Sequence, residues 1–185
     1  IGGDFYDFFL IDDHRLGFVI GDVSGKGIPA AIFMAVSRTL IRATGLKGMS
    51  PVECMNYVNH LLCTESVNSM FVTVFYGIID LESGTLNYVN AGHNPPILIS
   101  SGGKHEVFPL TNNIVLGVCD GREFKSQTIP FIKNDTIVLY TDGITEALNA
   151  RLEEYGFNTL QDLLKTTVTG NDMSSRDICK AITED

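Results

Sequence analysis

The N-terminal stretch 1–22 carries the pattern that most restricts the fold, because two apolar runs flank a polar segment at 12–15. This pattern predicts a β-hairpin with a loop of about three to five residues. A turn centred on Asp13 predicts three apolar cross-strand pairs: Leu10 with Leu16, Phe8 with Phe18 and Tyr6 with Ile20. The same register sets Asp4 directly opposite Asp22.

Two carboxylates directly opposite one another destabilise a sheet unless a positive charge lies between them. A divalent cation is the simplest source of that charge, since carboxylate oxygens are the ligands that Mg²⁺ and Mn²⁺ prefer. The alternative is that Asp4 and Asp22 are solvated strand ends that cap the next helix. The pattern alone leaves both interpretations open.

The segment GDVSGKGIPAA, residues 21–31, has the strand, glycine and helix layout of a phosphate-binding loop. A P-loop needs four residues between its first glycine and a Gly-Lys-Ser/Thr sequence. Here three residues separate Gly21 from Gly25, and Gly27 takes the place of the hydroxyl residue. The dinucleotide pattern G-x-G-x-x-G is absent as well. The spacing therefore disfavours nucleotide binding, and Lys26 is interpreted as a solvated loop lysine.

Composition narrows the classes of partner. The formal net charge is −9 with 13 Lys and Arg residues, which argues against nucleic acid or an anionic membrane as a partner. The length of 185 residues predicts a single domain, 1–185, and the apolar fraction of 44% suits a globular core. The sequence begins with Ile1, so we expect it to be part of a longer protein.

The four cysteines form no C-x-x-C pair, which predicts reduced thiols and a cytoplasmic protein. His60 and Cys63 lie three residues apart on a predicted helix. They are interpreted as packing or surface residues, because no second pair of soft ligands completes a zinc site. The sequence contains no signal peptide and no apolar run of membrane-spanning length, so no direct membrane contact by this domain is expected.

Beyond the first hairpin, helices are predicted in pairs and strands in hairpins. A first helix is predicted over 28–44 and a second from Pro51 to about Cys63, opened by the capping-box residues Ser50 and Glu53. Helical sequence begins again at Gly143, after strands predicted in 71–80, 85–93, 97–100, 105–108, 123–131 and 136–143. The predicted class is α+β, a four-layer αββα sandwich of two antiparallel β-sheets flanked by helices.

A third aspartate has the same setting as Asp22. In LYTDGITEA, an apolar strand over 137–140 runs into Asp142, which is followed by a glycine turn and a helix. Asp142 could equally be a structural cap, since aspartate is favoured at helix N-termini. Glu146 is interpreted as a surface residue, with support of the metal ligands as the alternative.

Two further residues attract attention without a predicted role in the chemistry. Asp7 falls on the opposite strand face from Asp4 and is interpreted as structural or as a support for the metal ligands. His93 lies in NAGHNPP, where the rigid Asn-Pro-Pro loop favours a turn-stabilising role over that of a general acid. No pattern identifies substrate-binding residues.

Taken in order, six motifs resemble those of the metal-dependent PPM-type protein serine/threonine phosphatases, in particular their bacterial SpoIIE-like, RsbU-type branch: GGDFYD, GDVSGKGIPAAIFMA, FVTVFYGIID, YVNAGHNPP, LGV and LYTDGITEA. The resemblance covers residues 1 to about 160 and implies two Mn²⁺ or Mg²⁺ ions at one end of a β-sandwich. By position, it implies that these ions are bound by Asp4, Asp22, Asp142 and the backbone carbonyl of Val23. It also implies that the family's first strand and its C-terminal aspartate-bearing strand lie outside this sequence.

The resemblance implies hydrolysis of a phosphoserine or phosphothreonine by a hydroxide that the two cations generate, with no enzyme nucleophile. The implied substrate is a signalling protein such as an anti-sigma-factor antagonist in partner switching. An upstream sensor or receiver domain is the implied neighbour, and a homodimer is compatible with the class. Two other classes stay open: a catalytically silent phosphoprotein-binding domain of the same fold, and a module whose acidic cluster binds a structural cation. The three aspartates favour the enzyme.

Overall fold

The computed structural model describes residues 2–65, 70–109, 111–168 and 173–184. The elements of this part of the chain are, in order, β1 (Phe5–Leu10), β2 (Arg15–Val23), α1 (Ile28–Gly45), α2 (Pro51–Glu65), β3 (Val72–Asp80), β4 (Thr85–Ala91), β5 (Ile97–Ile99), β6 (His105–Val107), β7 (Gln127–Pro130), β8 (Thr136–Val138), α3 (Asp142–Thr145), α4 (Phe157–Thr167) and α5 (Ser175–Glu184). They belong to two compact units, Ile1–His93 with Leu110–Phe131 and Asn94–Pro109 with Ile132–Asp185. Among the described helices, none is long and apolar enough to cross a bilayer.

The first unit contains a five-stranded antiparallel sheet with the order β1-β2-β3-β4-β7. The loop between β1 and β2 is held by the Asp12 carboxylate, which accepts hydrogen bonds from the backbone N–H groups of His14 and Arg15. The register of this hairpin is the predicted one, and its apolar pairs are Leu10 with Leu16, Phe8 with Phe18 and Tyr6 with Ile20.

Strand β1 lies at an edge of this sheet and alternates between a buried and an exposed face. Phe5 and Phe9 are buried, whereas Tyr6 is 73% exposed and Phe8 is 66% exposed. Phe18, the partner of Phe8 on β2, is buried because β3 flanks β2 on its other side. On the β2 side of the apolar pairs Phe18 and Ile20 are buried and Leu16 is half-buried, whereas their partners on β1 are exposed.

Helices α1 and α2 pack against each other and against this sheet. Helix α1 begins at Ile28, as predicted, and α2 begins at Pro51 and continues past the predicted end at Cys63 to Glu65. The predicted capping box at the start of α2 is present: the Ser50 N–H donates to the Glu53 carboxylate, and the Glu53 N–H donates to the Ser50 hydroxyl. The core between helices and sheet includes Phe5, Phe9, Ile41, Met55, Val58, Leu62, Val74 and Tyr76.

The second unit contains a three-stranded antiparallel sheet with the order β6-β5-β8, together with α3, α4 and α5. Each of these strands is three residues long. Ser174 caps the start of α5, since the Asp177 N–H donates to the Ser174 hydroxyl. The buried core of the unit contains Ile97, Ile99, Val138, Tyr140, Leu160, Leu164, Val168 and Ile178.

Two antiparallel sheets, each accompanied by helices, confirm the predicted α+β class. The strands differ from the prediction mainly at their ends. Strand β7 begins at Gln127 rather than within 123–126. The reason is local. The backbone N–H and C=O of Lys125 both form hydrogen bonds with the side chain of Asn113, so they do not pair with a neighbouring strand.

Candidate functional site

The predicted pair of carboxylates belongs to one end of the β1–β2 hairpin. Phe5 pairs with Gly21, and Asp4 and Asp22 are the next residues beyond this pair on the two chain segments. Asp22 lies opposite Thr73 of β3 on its other side. Asp4 is exposed and Asp22 is half-buried. The hairpin register therefore brings both aspartates to the same end of the sheet, where water and ions have access.

A close backbone approach accompanies this pair. A Cβ atom added to Gly3 would lie 2.7 Å from the Val23 carbonyl oxygen and 2.9 Å from the Val23 Cβ, distances that real Cβ atoms do not show. Only glycine fits there, so the main chain just before Asp4 is packed against the peptide that follows Asp22. The segment carrying Asp4 is thereby held against the Val23 carbonyl.

The loop after Asp22 is shaped by backbone conformation. Gly25 and Gly27 have φ values of 89° and 86°, and an added Cβ would meet nothing within 4 Å at either position. These glycines are needed for the positive φ that turns the chain into α1. Ser24 anchors the loop, because its N–H donates to the Phe71 carbonyl and its hydroxyl accepts from the Phe71 N–H. Lys26 is exposed, as predicted.

Asp142 belongs to the second unit, where it is the first residue of α3. The preceding Thr141 has extended backbone angles, and the Asp142 carbonyl accepts a hydrogen bond of 2.7 Å from the Glu146 N–H. Asp142 is half-buried and Glu146 is exposed. The predicted order of strand, aspartate and helix start is therefore present, although β8 ends at Val138 and α3 has a single turn.

The chemistry of the donors in the first unit suits a hard cation. In the described parts of the chain, no three or more His, Cys, Asp or Glu side chains form a group that could hold a metal ion. The hairpin end supplies two carboxylates beside the Val23 backbone. Mg²⁺ is commonly bound through one or two carboxylates and keeps several of its waters, and Mn²⁺ takes the same oxygen ligands. Asp4 and Asp22 therefore fit Mg²⁺ or Mn²⁺ and do not fit a soft metal.

A buried polar contact next to Asp22 was not visible in the sequence. Thr73 Oγ1 lies 3.0 Å from His93 Nδ1 and 3.4 Å from the Asp22 carbonyl oxygen. His93 is only 3% exposed. Its backbone belongs to a turn in which its N–H donates to the Asn90 side chain and its carbonyl accepts from that side chain. His93 thus lies in the predicted turn, and its imidazole also contacts the strand opposite Asp22.

Asp7 joins the edge strand to α1. Its carboxylate is buried and lies 3.2 Å from Arg38 and 2.9 Å from Arg42. The Arg42 guanidinium also lies over the Phe9 ring, 5.3 Å from its centroid, and donates to the Phe8 carbonyl. Asp7 is therefore a structural link between β1 and α1, in agreement with the structural role predicted for it.

The histidine and cysteines of α2 form ordinary packing and surface contacts. His60 Nδ1 lies 3.0 Å from the Asp120 carboxylate on the surface, and the Cys63 thiol donates to the Asn59 side chain. Burial raises the pKa of the Cys54 thiol to about 12 and also raises the pKa of Cys63. Because the thiolate is the reactive form, Cys54 is inert near neutral pH. His60 and Cys63 therefore make surface and packing contacts of the kind predicted for them.

Known proteins share both the sequence pattern and the fold. The family model for stage II sporulation protein E (SpoIIE) matches residues 12–185. Phosphoserine phosphatase RsbU of Bacillus subtilis (strain 168) is 30% identical over 165 residues, which cover 89% of this chain and 48% of RsbU. The solved RsbU and RsbW domains of Rv1364c from Mycobacterium tuberculosis align with a TM-score of 0.77 and 31% identity, over 90% of this chain and 46% of that one.

The fold is shared with PP2C phosphatase domains. The structure of the PP2C phosphatase domain of SpoIIE from Bacillus subtilis aligns with a TM-score of 0.80 at 19% identity, over 98% of this chain and 51% of that chain. The chain belongs to the SpoIIE family and is similar to the RsbU-type branch of the PPM-type phosphatases. It spans between a quarter and a half of the length of the curated relatives it matches. The predicted family resemblance is confirmed.

Proposed function

We propose that the protein is a metal-dependent serine/threonine protein phosphatase that removes phosphate from a phosphoserine or phosphothreonine of a signalling partner. The observation that carries this proposal is the end of the β1–β2 hairpin. There Asp4 and Asp22 are the residues next to the terminal Phe5–Gly21 pair, and Gly3 is packed against the Val23 carbonyl oxygen, 2.7 Å from the position its Cβ would take. Membership in the SpoIIE family supports the phosphatase activity.

Asp4 and Asp22 are proposed to bind Mn²⁺ or Mg²⁺ through their carboxylates, and Val23 through its backbone carbonyl. Asp142 is proposed to bind a divalent cation as well, on the strength of the family motif LYTDGITEA in which it stands. Two such cations, when bound, lower the pKa of water and neutralise negative charge on phosphoryl oxygens. Asp4, Asp22 and Asp142 thus act in catalysis through the ions.

This chain's own groups orient the site rather than attack the phosphate. The sheet holds Asp22 opposite Thr73 of β3, one residue beyond the last pair with β1, and the glycine loop directs the chain into α1. Carboxylates at the end of the β1–β2 hairpin raise the local concentration of cations, and the formal net charge of −9 acts in the same direction. No side-chain nucleophile is required in this scheme.

The partner is proposed to be a phosphorylated protein similar to an anti-sigma-factor antagonist. The relative RsbU carries the name phosphoserine phosphatase, and the solved Rv1364c fragment pairs an RsbU domain with an RsbW domain. An upstream sensor or receiver domain in the longer protein and a homodimer are parts of the same proposal. A cytoplasmic location is supported by the four free cysteines. The two units are proposed to form one domain, because the family match at 12–185 includes both.

The proposal is tested with the full-length protein, p-nitrophenyl phosphate and a serine-phosphorylated protein of the anti-sigma-factor-antagonist class. Wild type is expected to hydrolyse both with Mn²⁺ and to stop when EDTA is added. Asp22→Asn and Asp142→Asn are expected to lose about a hundredfold or more of this activity, as removal of metal support does elsewhere.

Asp13→Asn is the matched control, because Asp13 is an exposed aspartate in the loop between β1 and β2, at the other end of the hairpin from Asp4 and Asp22. It is expected to keep wild-type activity. Equal hydrolysis by wild type and both site variants would contradict the assignment of the site. Binding of the phosphoprotein without turnover by wild type would favour the silent phosphoprotein-binding domain. Metal-dependent folding with neither binding nor turnover would favour a structural cation site.

A further inference from the structure

The contact between Thr73 and His93 lies directly behind the proposed metal-binding strand end. Thr73 pairs with Asp22 across β2 and β3, so its hydroxyl lies beside the backbone of the residue proposed as a ligand. The hydroxyl is 3.0 Å from His93 Nδ1 and 3.4 Å from the Asp22 carbonyl oxygen. One hydroxyl thus connects a buried imidazole to the peptide between Asp22 and Val23.

The direction of these hydrogen bonds follows from counting protons. A threonine hydroxyl donates one hydrogen and accepts through its lone pairs. The carbonyl oxygen of Asp22 can only accept, so the Thr73 hydroxyl donates to it. Thr73 Oγ1 then accepts from His93, which requires a proton on Nδ1. When both contacts are made as hydrogen bonds at once, the order of donation is from His93 to Thr73 to the Asp22 carbonyl.

His93, where this series of hydrogen bonds begins, is held by its neighbours. Asn90 is 2% exposed, and its side chain makes hydrogen bonds of 3.0 and 2.8 Å to the carbonyl and N–H of His93. The Asn90 carbonyl in turn accepts from Thr111 and Asn113. Gly92 has a φ of 75°, and a Cβ there would lie 2.7 Å from Val115 Cγ1, so the turn cannot relax easily. His93 is consequently held in place from its backbone.

We propose that Thr73 and His93 are positioning residues that hold the peptide after Asp22 in the conformation that cation binding requires. This inference rests on the proposed function, since it concerns the same strand end. The Asp22–Val23 peptide joins the proposed carboxylate ligand to the proposed carbonyl ligand, so rotation of that peptide would move both donors. Groups that hold metal ligands in this way typically contribute a factor of 10 to 100 to metal affinity.

The first experiment measures Mn²⁺ binding to the full-length protein by titration calorimetry. Thr73→Val keeps the shape of the side chain and removes the hydroxyl, and it is expected to weaken Mn²⁺ binding by about tenfold or more. Thr73→Ser keeps the hydroxyl and is expected to stay within about twofold to threefold of wild type. Thr85→Val is the matched control, because Thr85 lies in the same sheet and pairs with Asp80 rather than with Asp22.

The second experiment exchanges the imidazole. An asparagine amide can reproduce the Nδ1 donor, whereas a glutamine amide is displaced toward Nε2. His93→Asn is therefore expected to bind Mn²⁺ better than His93→Gln. The double variant Thr73→Val with His93→Gln is expected to lose little more Mn²⁺ affinity than either single variant, since both changes interrupt the same series of hydrogen bonds. This pair of histidine variants decides the question if Thr73→Val does not fold.

Kinetic measurements distinguish weaker Mn²⁺ binding from a general loss of protein stability. With p-nitrophenyl phosphate, the Mn²⁺ concentration for half-maximal activity is expected to rise about tenfold in Thr73→Val, while kcat at saturating Mn²⁺ stays within a few-fold of wild type. Equal Mn²⁺ affinity in wild type, Thr73→Val and His93→Gln would overturn the positioning role and leave the proposed function intact. A wild-type protein that neither binds Mn²⁺ nor turns over substrate would instead overturn the proposed function.

Discussion

The two compact units differ in how firmly they are built. In the first unit, β2 and β3 have nine residues each, and Phe75 and Tyr88 are fully buried with ring centroids 5.0 Å apart. In the second unit each strand has three residues, and the stacked pair Tyr140 and Phe157 is 6.0 Å apart with Phe157 only half-buried. Local stability follows buried apolar contacts, so the first unit is expected to be the more resistant to opening.

This difference bears on the proposed ligands. Asp4 and Asp22 are attached to the long strands of the first unit, and Gly3 allows a tight backbone packing beside them. Asp142 begins a helix of four residues in the second unit. Two of the proposed ligands are therefore attached to the larger sheet, and the third belongs to a smaller unit with short elements. We expect the first unit to determine cation affinity.

The largest effect is expected from core truncation in the two units. Phe75→Ala, at a fully buried position in the first unit, should lower the free energy of unfolding by about 3–5 kcal/mol. Leu164→Ala, in the core of the second unit, should cost less, about 2–3 kcal/mol, since the described buried core of that unit is smaller and leucine loses fewer atoms than phenylalanine. Urea unfolding measures both.

Leu81→Ala is the control for this pair, because Leu81 is 66% exposed and its truncation should change stability by no more than about 0.5 kcal/mol. A larger loss in Leu164→Ala than in Phe75→Ala would break the comparison between the units.

The next effect concerns the tight packing beside the proposed site. Gly3→Ala places a methyl group 2.7 Å from the Val23 carbonyl oxygen and should destabilise the first unit by about 1–3 kcal/mol. It should also weaken Mn²⁺ binding, because the Asp4 and Val23 segments must separate. Thermal unfolding with and without Mn²⁺ measures both losses. Gly2→Ala is the control, since its nearest contact would be an ordinary 3.9 Å, and an equal loss in this variant would contradict the steric explanation.

A smaller effect is expected from the link between β1 and α1. Asp7→Asn removes the charge that faces Arg38 and Arg42, whose side chains are 48% and 43% exposed. Because water can solvate both arginines, the loss should be about 1–2 kcal/mol rather than that of a fully buried pair. Urea unfolding at low and high salt measures this loss of stability, and the control Asp13→Asn should show none. Complete insensitivity of Asp7→Asn would mean that the contact does not stabilise the first unit.

The smallest effect is a pH dependence of surface carboxylates. The hydrogen bond from the Arg15 guanidinium lowers the pKa of Asp12 from 3.8 to about 2, and the Ser174 hydroxyl lowers the pKa of Asp177. A lowered folded-state pKa contributes stability that is present above the unfolded value and is lost as pH falls through the folded value. The stability difference between wild type and Asp12→Asn should therefore persist above about pH 4 and vanish toward pH 2. Urea midpoints that differ equally at pH 5 and pH 2 would contradict this pairing.

Much of the first unit could be predicted because its local signals agree. A polar loop between two apolar runs set the register of β1 and β2, and Ser50 with Glu53 marked the start of α2. In the second unit, the aspartate and glycine after an apolar strand likewise marked the helix start at Asp142. Each of these signals acts over a few residues, which is the range over which sequence patterns are most informative.

What the sequence could not reveal depends on contacts between distant segments. Alternation along β1 distinguishes two faces, but burial of Phe5 and exposure of Tyr6 follow from the edge position of the strand and from α1 packing. The Thr73–His93 contact joins residues 20 positions apart, and no local pattern marks Thr73. Strand β7 is shorter than predicted because Asn113 takes the backbone groups of Lys125.

The central claim is that acidic oxygens at one end of the first sheet bind divalent cations. An anomalous-scattering map of Mn²⁺-soaked crystals of the full-length protein tests it most directly. We predict a manganese peak within about 2.5 Å of carboxylate oxygens of both Asp4 and Asp22 and of the Val23 carbonyl oxygen. Manganese peaks only elsewhere, or carboxylates of Asp4 and Asp22 directed to different surroundings, would contradict the account.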